Sequence, residues 1–319
     1  MENSKDWFIF QGNGNETKNV EFPKAPPWRQ GKDSKNSSYI PDVDNNELEV
    51  VNASIYLKRP ILVTGNPGTG KSSLAYAIAK ELGLGEVIKW EVTTKTTLKD
   101  GLYSYDAIAR LQDVSLKKET KINEYLFLGA LGYAFASSDK PKVLLIDEID
   151  KSDIDLPNDL LHILEEMEFV IPELERADKD GEEIKIYPSH KKKSQGGEPI
   201  KIENGKVTCN PDNFPIIIMT SNDEREFPPA FLRRCLRLDM KTPNRDRLIK
   251  IIEAKFESIP SDKEECVNTI VDNFLTLVNQ ENVTLSTDQL LNAIHLLFEK
   301  EIDISKDNDL NKEIFRSLV

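Results

Sequence analysis

Cysteine, histidine and long apolar runs are scarce in this 319-residue chain, and each scarcity removes a class of function. The three cysteines, Cys209, Cys235 and Cys266, are an odd number without metal-ligand spacing, so reduced thiols are expected rather than a disulfide framework or a zinc site. His162, His190 and His295 are scattered and suggest neither a metal site nor an activated nucleophile. No apolar run approaches the length of a membrane span, and the opening "MENSKDWFIFQG" lacks the charged-then-apolar pattern of a secretory signal. A cytosolic protein without a membrane partner is expected. Positive charge is also short: 42 Lys and Arg stand against 55 Asp and Glu, a net charge of −13. That balance argues against a nucleic-acid partner, because duplex binding draws much of its affinity from neutralised phosphates.

What is present is an alternation of buried runs and helical patterns. Residues 1–44 are rich in Asn, Lys, Pro and Asp, with apolar anchors only at "WFIF" and around Trp28, and read as an arm that is partly extended or disordered. The stretch "ELEVVNASIYL" reads as a helix. Strands are expected at "ILVT" (61–64), "VIKWEVT" (87–93), "VLLI" (143–146) and "PIIIMTS" (215–221), with helices at 72–83, 122–137 and 156–167 between them. Runs apolar on both faces, separated by helices, predict a mainly parallel α/β sheet over residues 45–240, with ligands beyond the C-terminal strand ends. A polar insertion at 172–213 contains "IKIENGKVTC", a hairpin pattern on either side of Asn204-Gly205, and a "KKK" at 191–193 that reads as a solvated loop. Residues 241–319 carry three amphipathic helical patterns, the last opened by a capping box from Ser286 to Gln289, and form a small all-α domain.

The sharpest feature follows the first strand. "GNPGTGKS" at 65–72 matches the spacing G-x-x-x-x-G-K-[ST], in which a bare backbone wraps a polyphosphate with its N–H groups. Gly65, Gly68 and Gly70 remove the Cβ atoms that would block that approach, and Asn66, Pro67, Thr69 and Ser73 complete the candidate nucleotide-binding stretch. Lys71 supplies a mobile charge for the β- and γ-phosphates, and the Ser72 hydroxyl is placed to ligate Mg²⁺. A helix starting here points its N-terminal dipole at the anion.

Further along, "VLLIDEID" ends a buried strand on Asp147 and Glu148. A carboxylate at such an edge can hold Mg²⁺, and its neighbour can orient and deprotonate an attacking water. "PIIIMTSN" repeats the arrangement with a neutral end, where Asn222 could reach between the γ-phosphate and the water, with Thr220 a weaker choice. In "PPAFLRRCLRL", Arg233 and Arg234 are candidates for stabilising transition-state charge.

In this order the motifs resemble AAA+ ATPases, and within them the MoxR-like branch. "GNPGTGKS" looks like Walker A, "VLLIDEID" like Walker B, "MTSN" like sensor 1 and "AFLRRC" like the arginine-finger segment, while "LLHILEEMEF" is similar to the helix that precedes a β-hairpin insertion in that branch. The resemblance covers roughly residues 45–300. It implies a P-loop NTPase fold with a helical lid, a homo-oligomeric ring that is commonly hexameric, ATP with Mg²⁺ bound between protomers, and Arg234, ahead of Arg233, acting on the neighbouring site. Relatives of this kind are remodelling or chaperone-like ATPases that often work beside von Willebrand factor type A domain proteins. The lid helix departs from the pattern: it reads "LSTDQLL", with Asp288 and Gln289 where many relatives carry a sensor 2 arginine. Slow turnover, or turnover that needs a partner, is therefore the alternative expectation, as a nucleotide-dependent assembly switch; a DNA-directed motor ranks below both. The segments at 200–209 and "GLYSYDAIARL" at 101–111 are the candidate partner-facing elements; Tyr103 and Tyr105 could grip an extended segment, but the structural reading of these tyrosines is preferred.

Overall fold

The computed structural model describes residues 9, 24–26, 39–42, 45–118, 120–136, 139–176, 184–189, 199–256, 258–280, 283–300, 302 and 308–317. Nearly all of the N-terminal arm, Trp28 included, lies outside them, as do the 191–193 lysines and His190.

One unit spans Pro41–Thr242. It runs through α1 (Glu47–Leu57), β1 (Ile61–Thr64), α2 (Lys71–Glu81), β2 (Ile88–Glu91), α3 (Leu98–Leu102), β3 (Tyr103–Tyr105), α4 (Ala107–Ser115), β4 (Leu126–Leu128), α5 (Ala130–Ala136) and β5 (Val143–Asp147). There follow α6 (Leu156–Glu166), β6 (Glu168–Val170), α7 (Pro172–Glu175), β7 (Ile184–Pro188), β8 (Ile200–Ile202), β9 (Lys206–Thr208), β10 (Ile216–Thr220), α8 (Pro229–Arg234) and β11 (Leu236–Asp239).

The four expected strands, joined by β11, make one sheet in the order β11-β1-β10-β5-β2, with every neighbouring pair parallel. Both faces are buried, as in a helix-covered parallel sheet. Leu62, Leu144, Ile146, Ile217 and Met219 pack with Leu131, Phe135, Leu160 and Phe231 of α5, α6 and α8. The alternate residues Ile61, Val63, Val143, Leu145 and Ile218 are buried on the other face, and α2 packs on β5 and β10. All five strands end at the same edge. Because β10 lies between β1 and β5, the loop after β1 and the end of β5 flank the end of β10, a crevice of the kind in which open α/β sheets bind ligands.

Three elements differ from expectation. The helix expected over 122–137 is split: Ile122–Glu124 is a short 3₁₀ turn, Leu126–Leu128 forms β4, antiparallel to β3 and parallel to β7, and among the described residues the α-helix is confined to Ala130–Ala136. The period-two burial of Leu126 and Leu128 wins over helical spacing, and Gly129 ends the strand where a Cβ would sit 2.4 Å from Asp100 O. No strand was expected at "LRLD", yet β11 forms a sheet edge on β1, burying Leu238 on one face and turning Arg237 out. At Asn204-Gly205 the two-residue turn forms, with φ of 53° and 66° and a bridge between Glu203 and Lys206. Beyond that bridge the arms separate, β8 pairing with β7 and β9 with β6.

In the 101–111 segment, Tyr103 is buried and the Tyr105 hydroxyl accepts from Arg110 Nη1 at 2.9 Å, in keeping with structural tyrosines. The helix that follows them is different: α4 buries no residue and leaves Ile108, Leu111 and Val114 exposed, with Leu116 just beyond its end.

A second unit takes Pro243–Val319 together with residues up to Ile40. Its helices α9 (Arg245–Phe256), α10 (Glu264–Val278), α11 (Thr287–Lys300) and α12 (Asn308–Ile314) enclose a core around Leu248, Ile252, Ile270, Phe274, Leu290 and Ile294. The capping box before α11 is reciprocal: Ser286 N donates to Gln289 Oε1 at 2.8 Å and Gln289 N to Ser286 Oγ at 3.4 Å. Among the described residues no helix is long and apolar enough to cross a membrane.

Candidate nucleotide-binding and hydrolytic site

After β1 the chain turns through residues 65–70 into α2. Gly65 has φ +132°, and a Cβ there would lie 2.2 Å from Met240 O. Gly70, at φ 96°, is the residue before α2 and offers no capping side chain, which leaves the first amides of the helix to the loop side. Thr69 Oγ1 braces the loop by donating to Asn66 O at 2.9 Å, and Ser73 N donates to Gly70 O at 2.9 Å. Pro67 is half-buried, Gly68 takes φ 78°, and the Ser73 side chain is exposed on the first turn. Lys71 is buried and folds back on the loop, its Nζ donating to Gly65 O at 2.6 Å and Asn66 O at 2.9 Å. Burial holds its pKa below the ordinary value, opposed by the charges of Asp150, Asp223, Asp147 and Glu148.

The ends of β5 and β10 meet α2 through hydroxyls. Ser72 Oγ donates to Asp147 Oδ1 at 2.7 Å and Thr220 Oγ1 donates to the same oxygen at 2.8 Å. Lys89 Nζ on β2 lies 3.1 Å from Asp147 Oδ2 and 2.8 Å from Glu91 Oε1. Burial alone would raise the Asp147 pKa, but hydrogen bonds from Ser72, Thr220 and Lys89 outweigh it and hold the carboxyl below its ordinary range. Glu148 takes the left-handed conformation at φ 59°, which a non-glycine residue adopts only when its surroundings enforce it. Part of that enforcement is its amide, which donates to Thr220 Oγ1 at 2.9 Å. The Glu148 side chain is half-exposed and its Oε2 lies 3.0 Å from Lys151 Nζ.

Asn222 stands two residues past β10, its amide donating to Asp150 Oδ2 at 2.7 Å. Lys71, Ser72, Asp147, Glu148, Thr220 and Asn222 are therefore gathered at one end of the sheet. Arg234 is not among them. It closes α8 just before β11, at the opposite edge, and its Nε pairs with Glu165 on α6. Arg233 is exposed, and its carbonyl accepts from Arg59 Nη2.

Two hard oxygens 2.7 Å apart, on Ser72 and an ionised Asp147, could hold a cation such as Mg²⁺, which takes one or two protein oxygens and completes its shell from phosphate and water. No cluster of three or more His, Cys, Asp or Glu side chains is placed to hold a metal among the described residues. The glycine loop and the open start of α2 suit a polyphosphate. Lys89 and Asp150 escaped the sequence reading. Lys89 shows there only as the polar position of an alternating strand, and Asp150 as a loop acid; which carboxylate or amide each meets depends on strand order.

Comparison with curated proteins returned no match. A family model described as "ATPase family associated with various cellular activities (AAA)" matches residues 61–243, from the first residue of β1 to just past the last strand of the sheet. That match spans more than half of the chain and takes in every residue of the site just described, so the chain belongs to the AAA family of nucleotide-dependent ATPases.

Proposed function

We propose that the chain is a MoxR-like AAA+ ATPase that binds and hydrolyses ATP with Mg²⁺ between the subunits of a ring, commonly hexameric in such relatives, and uses the cycle to remodel or activate a protein partner. The observation that carries this reading is a division of parts. The phosphate loop, Asp147, Glu148 and Asn222 share one edge of the sheet, whereas Arg234 stands a strand's length away, about 13 Å for four residues. An arginine that far from its own subunit's site supports a role at a neighbour's.

In this account the amides of residues 65–73 cradle the phosphates, and Lys71 leaves its two loop carbonyls for the β- and γ-phosphates. Mg²⁺, held by Ser72 and Asp147, would neutralise charge on the phosphoryl oxygens. Glu148 orients the attacking water and takes its proton, and Asn222 steadies the water against the γ-phosphate. Arg234 exchanges Glu165 for the charge that develops on the transferred group in the adjoining subunit. The apolar side chains left exposed on and just after α4, Ile108, Leu111, Val114 and Leu116, favour a protein partner, possessing an apolar segment to meet them, over nucleic acid. A von Willebrand factor type A domain protein is the partner class the resemblance suggests.

A second reading, a slow nucleotide-dependent assembly switch, is favoured by Gln289. Near the position where many relatives carry a sensor 2 arginine, its Nε2 donates to Ile314 O at 3.0 Å and Arg316 O at 2.8 Å, and so is committed within its own helical unit.

Glu148→Gln tests the proposal. ATP affinity should stay near that of the wild type while turnover falls by about 10²- to 10⁴-fold, the usual worth of a general base. Undiminished turnover would sink the assignment. A switch would remain able to recruit its effector in this variant, whereas a remodelling motor would stall.

A further inference from the structure

The hydrolytic reading needs two loops in fixed register: the turn after β5, which carries Glu148, and the loop after β10, which carries Asn222. Each contains a non-glycine residue in the left-handed region, Glu148 at φ 59° and Asp223 at φ 59°; an aspartate adopts it readily, whereas the glutamate is held there by its surroundings.

Asp150 joins them. It is only 5% exposed, yet it is a carboxylate; Oδ2 accepts Asn222 N–H at 2.7 Å and Glu224 N–H at 3.4 Å. Its Oδ1 is buried without a hydrogen-bond partner among the described residues. Arg225 ties the same loops in the reverse direction. Its Nη1 donates to Ser152 O at 2.9 Å, and its Nη2 to Ser152 Oγ at 2.8 Å, Asp153 O at 3.2 Å and Ile149 O at 3.3 Å. The Phe227 ring lies 5.8 Å from the guanidinium carbon.

A buried carboxylate with one unsatisfied oxygen is a costly way to hold a backbone amide, since leaving a buried acceptor unmade costs on the order of 1–3 kcal/mol. Stability alone does not account for it. Its position does, because it spans the chain that presents the water-activating carboxylate and the chain that presents the water-steadying amide.

We propose that Asp150 is a positioning residue for hydrolysis, holding the Asn222 amide against the Glu148 turn, and that Arg225 locks the same two loops from the other end. This rests on the hydrolytic reading above and names the part that sets its geometry. Neither residue belongs to the phosphate loop, but the Asp150 charge also acts on Lys71, so Asp150→Ala changes the phosphate-binding lysine as well as the junction, whereas Arg225→Ala loosens the junction and leaves that charge in place.

The test compares Asp150→Ala, Asp150→Asn, Arg225→Ala and the double alanine variant in the full chain, at a subunit concentration that saturates wild-type turnover. A displacement of about 1 Å can cost up to about 100-fold, so Asp150→Ala should lower kcat by about 10- to 100-fold. Asp150→Asn keeps an acceptor for the Asn222 amide and should recover most of that loss. Arg225→Ala should lower kcat likewise, with the Kd for a fluorescent ATP analogue moving less than about twofold, and the double variant should fall short of additivity because both act on one junction. Amide exchange across residues 220–226 should quicken in both single alanine variants. Unchanged kcat in Asp150→Ala or Arg225→Ala, loss of ATP affinity in step with kcat in Arg225→Ala, or Asp150→Asn as slow as Asp150→Ala would each overturn the proposal. Should Asp150→Ala fail to fold, Arg225→Ala decides on the same readouts. A wild-type protein without ATP turnover would sink the hydrolytic reading instead, and the exchange comparison, which needs no turnover, would still show whether the clamp holds the loops.

Discussion

Ser72 Oγ and Asp147 Oδ1 are 75 positions apart in the chain and 2.7 Å apart in the fold. Their meeting follows from strand order: β10 between β1 and β5 places Thr220 where its hydroxyl can serve Asp147 and the Glu148 amide together. The carboxylate proposed to hold the cation and the left-handed turn beside it thus share one threonine.

Thr220→Val should therefore be felt at acid pH. The native Asp147 pKa lies below its ordinary 3.8, so the unfolded chain binds the extra proton first as pH falls. The stability contributed is complete above about pH 4 and is lost as pH falls through the native value. Removing a donor leaves burial less opposed, which raises the native pKa and narrows that window. Thermal melts between pH 2 and 6 should show the acid limb of Thr220→Val displaced to higher pH than the wild type's; superimposable limbs would mean that Thr220 does not hold Asp147 ionised.

The parts of this site that were legible in the sequence are local ones. Glycine spacing after "ILVT", Lys71-Ser72 and the acids closing "VLLIDEID" all sit within a few residues of the structure they build. Contacts set by strand order were not legible: Lys89 on Asp147, Asp150 on the Asn222 amide and Arg234 on Glu165 join residues on separate elements. The same limit explains the helix wrongly expected over 122–137, because β4 is a strand only by virtue of β3 and β7. The turn at Asn204-Gly205 follows from two residues, whereas the partners of β8 and β9 lie elsewhere in the chain.

Gly65→Ala should destabilise the fold as well as impair nucleotide binding. The added Cβ would meet Met240 O at 2.2 Å on a backbone at φ +132°, a combination of overlap and strain expected to cost more than about 2 kcal/mol. Denaturant midpoints of the nucleotide-free protein measure this directly, and an unchanged midpoint would show that the loop yields freely.

Thiol labelling should separate the cysteines. Burial pushes Cys209 up to about 11 and Cys235 up to about 12, whereas Cys266 is half-buried. At pH 8 a thiolate-directed reagent should modify Cys266 first, with the other two reacting only on unfolding. Early modification of Cys235, which directly follows Arg234, would indicate that the end of α8 opens in the native protein.

The shared-site claim is tested most directly by mixing two inactive variants. Arg234→Ala keeps an intact phosphate loop and Lys71→Ala keeps an intact Arg234; each alone should lose most turnover, about 10³-fold or more for the arginine. If Arg234 acts on the neighbouring subunit, mixed assemblies contain interfaces that pair the intact loop of one variant with the intact arginine of the other, and turnover should recover to a sizeable fraction of the wild-type rate. A mixture no faster than its two components would contradict a site completed by the adjoining subunit.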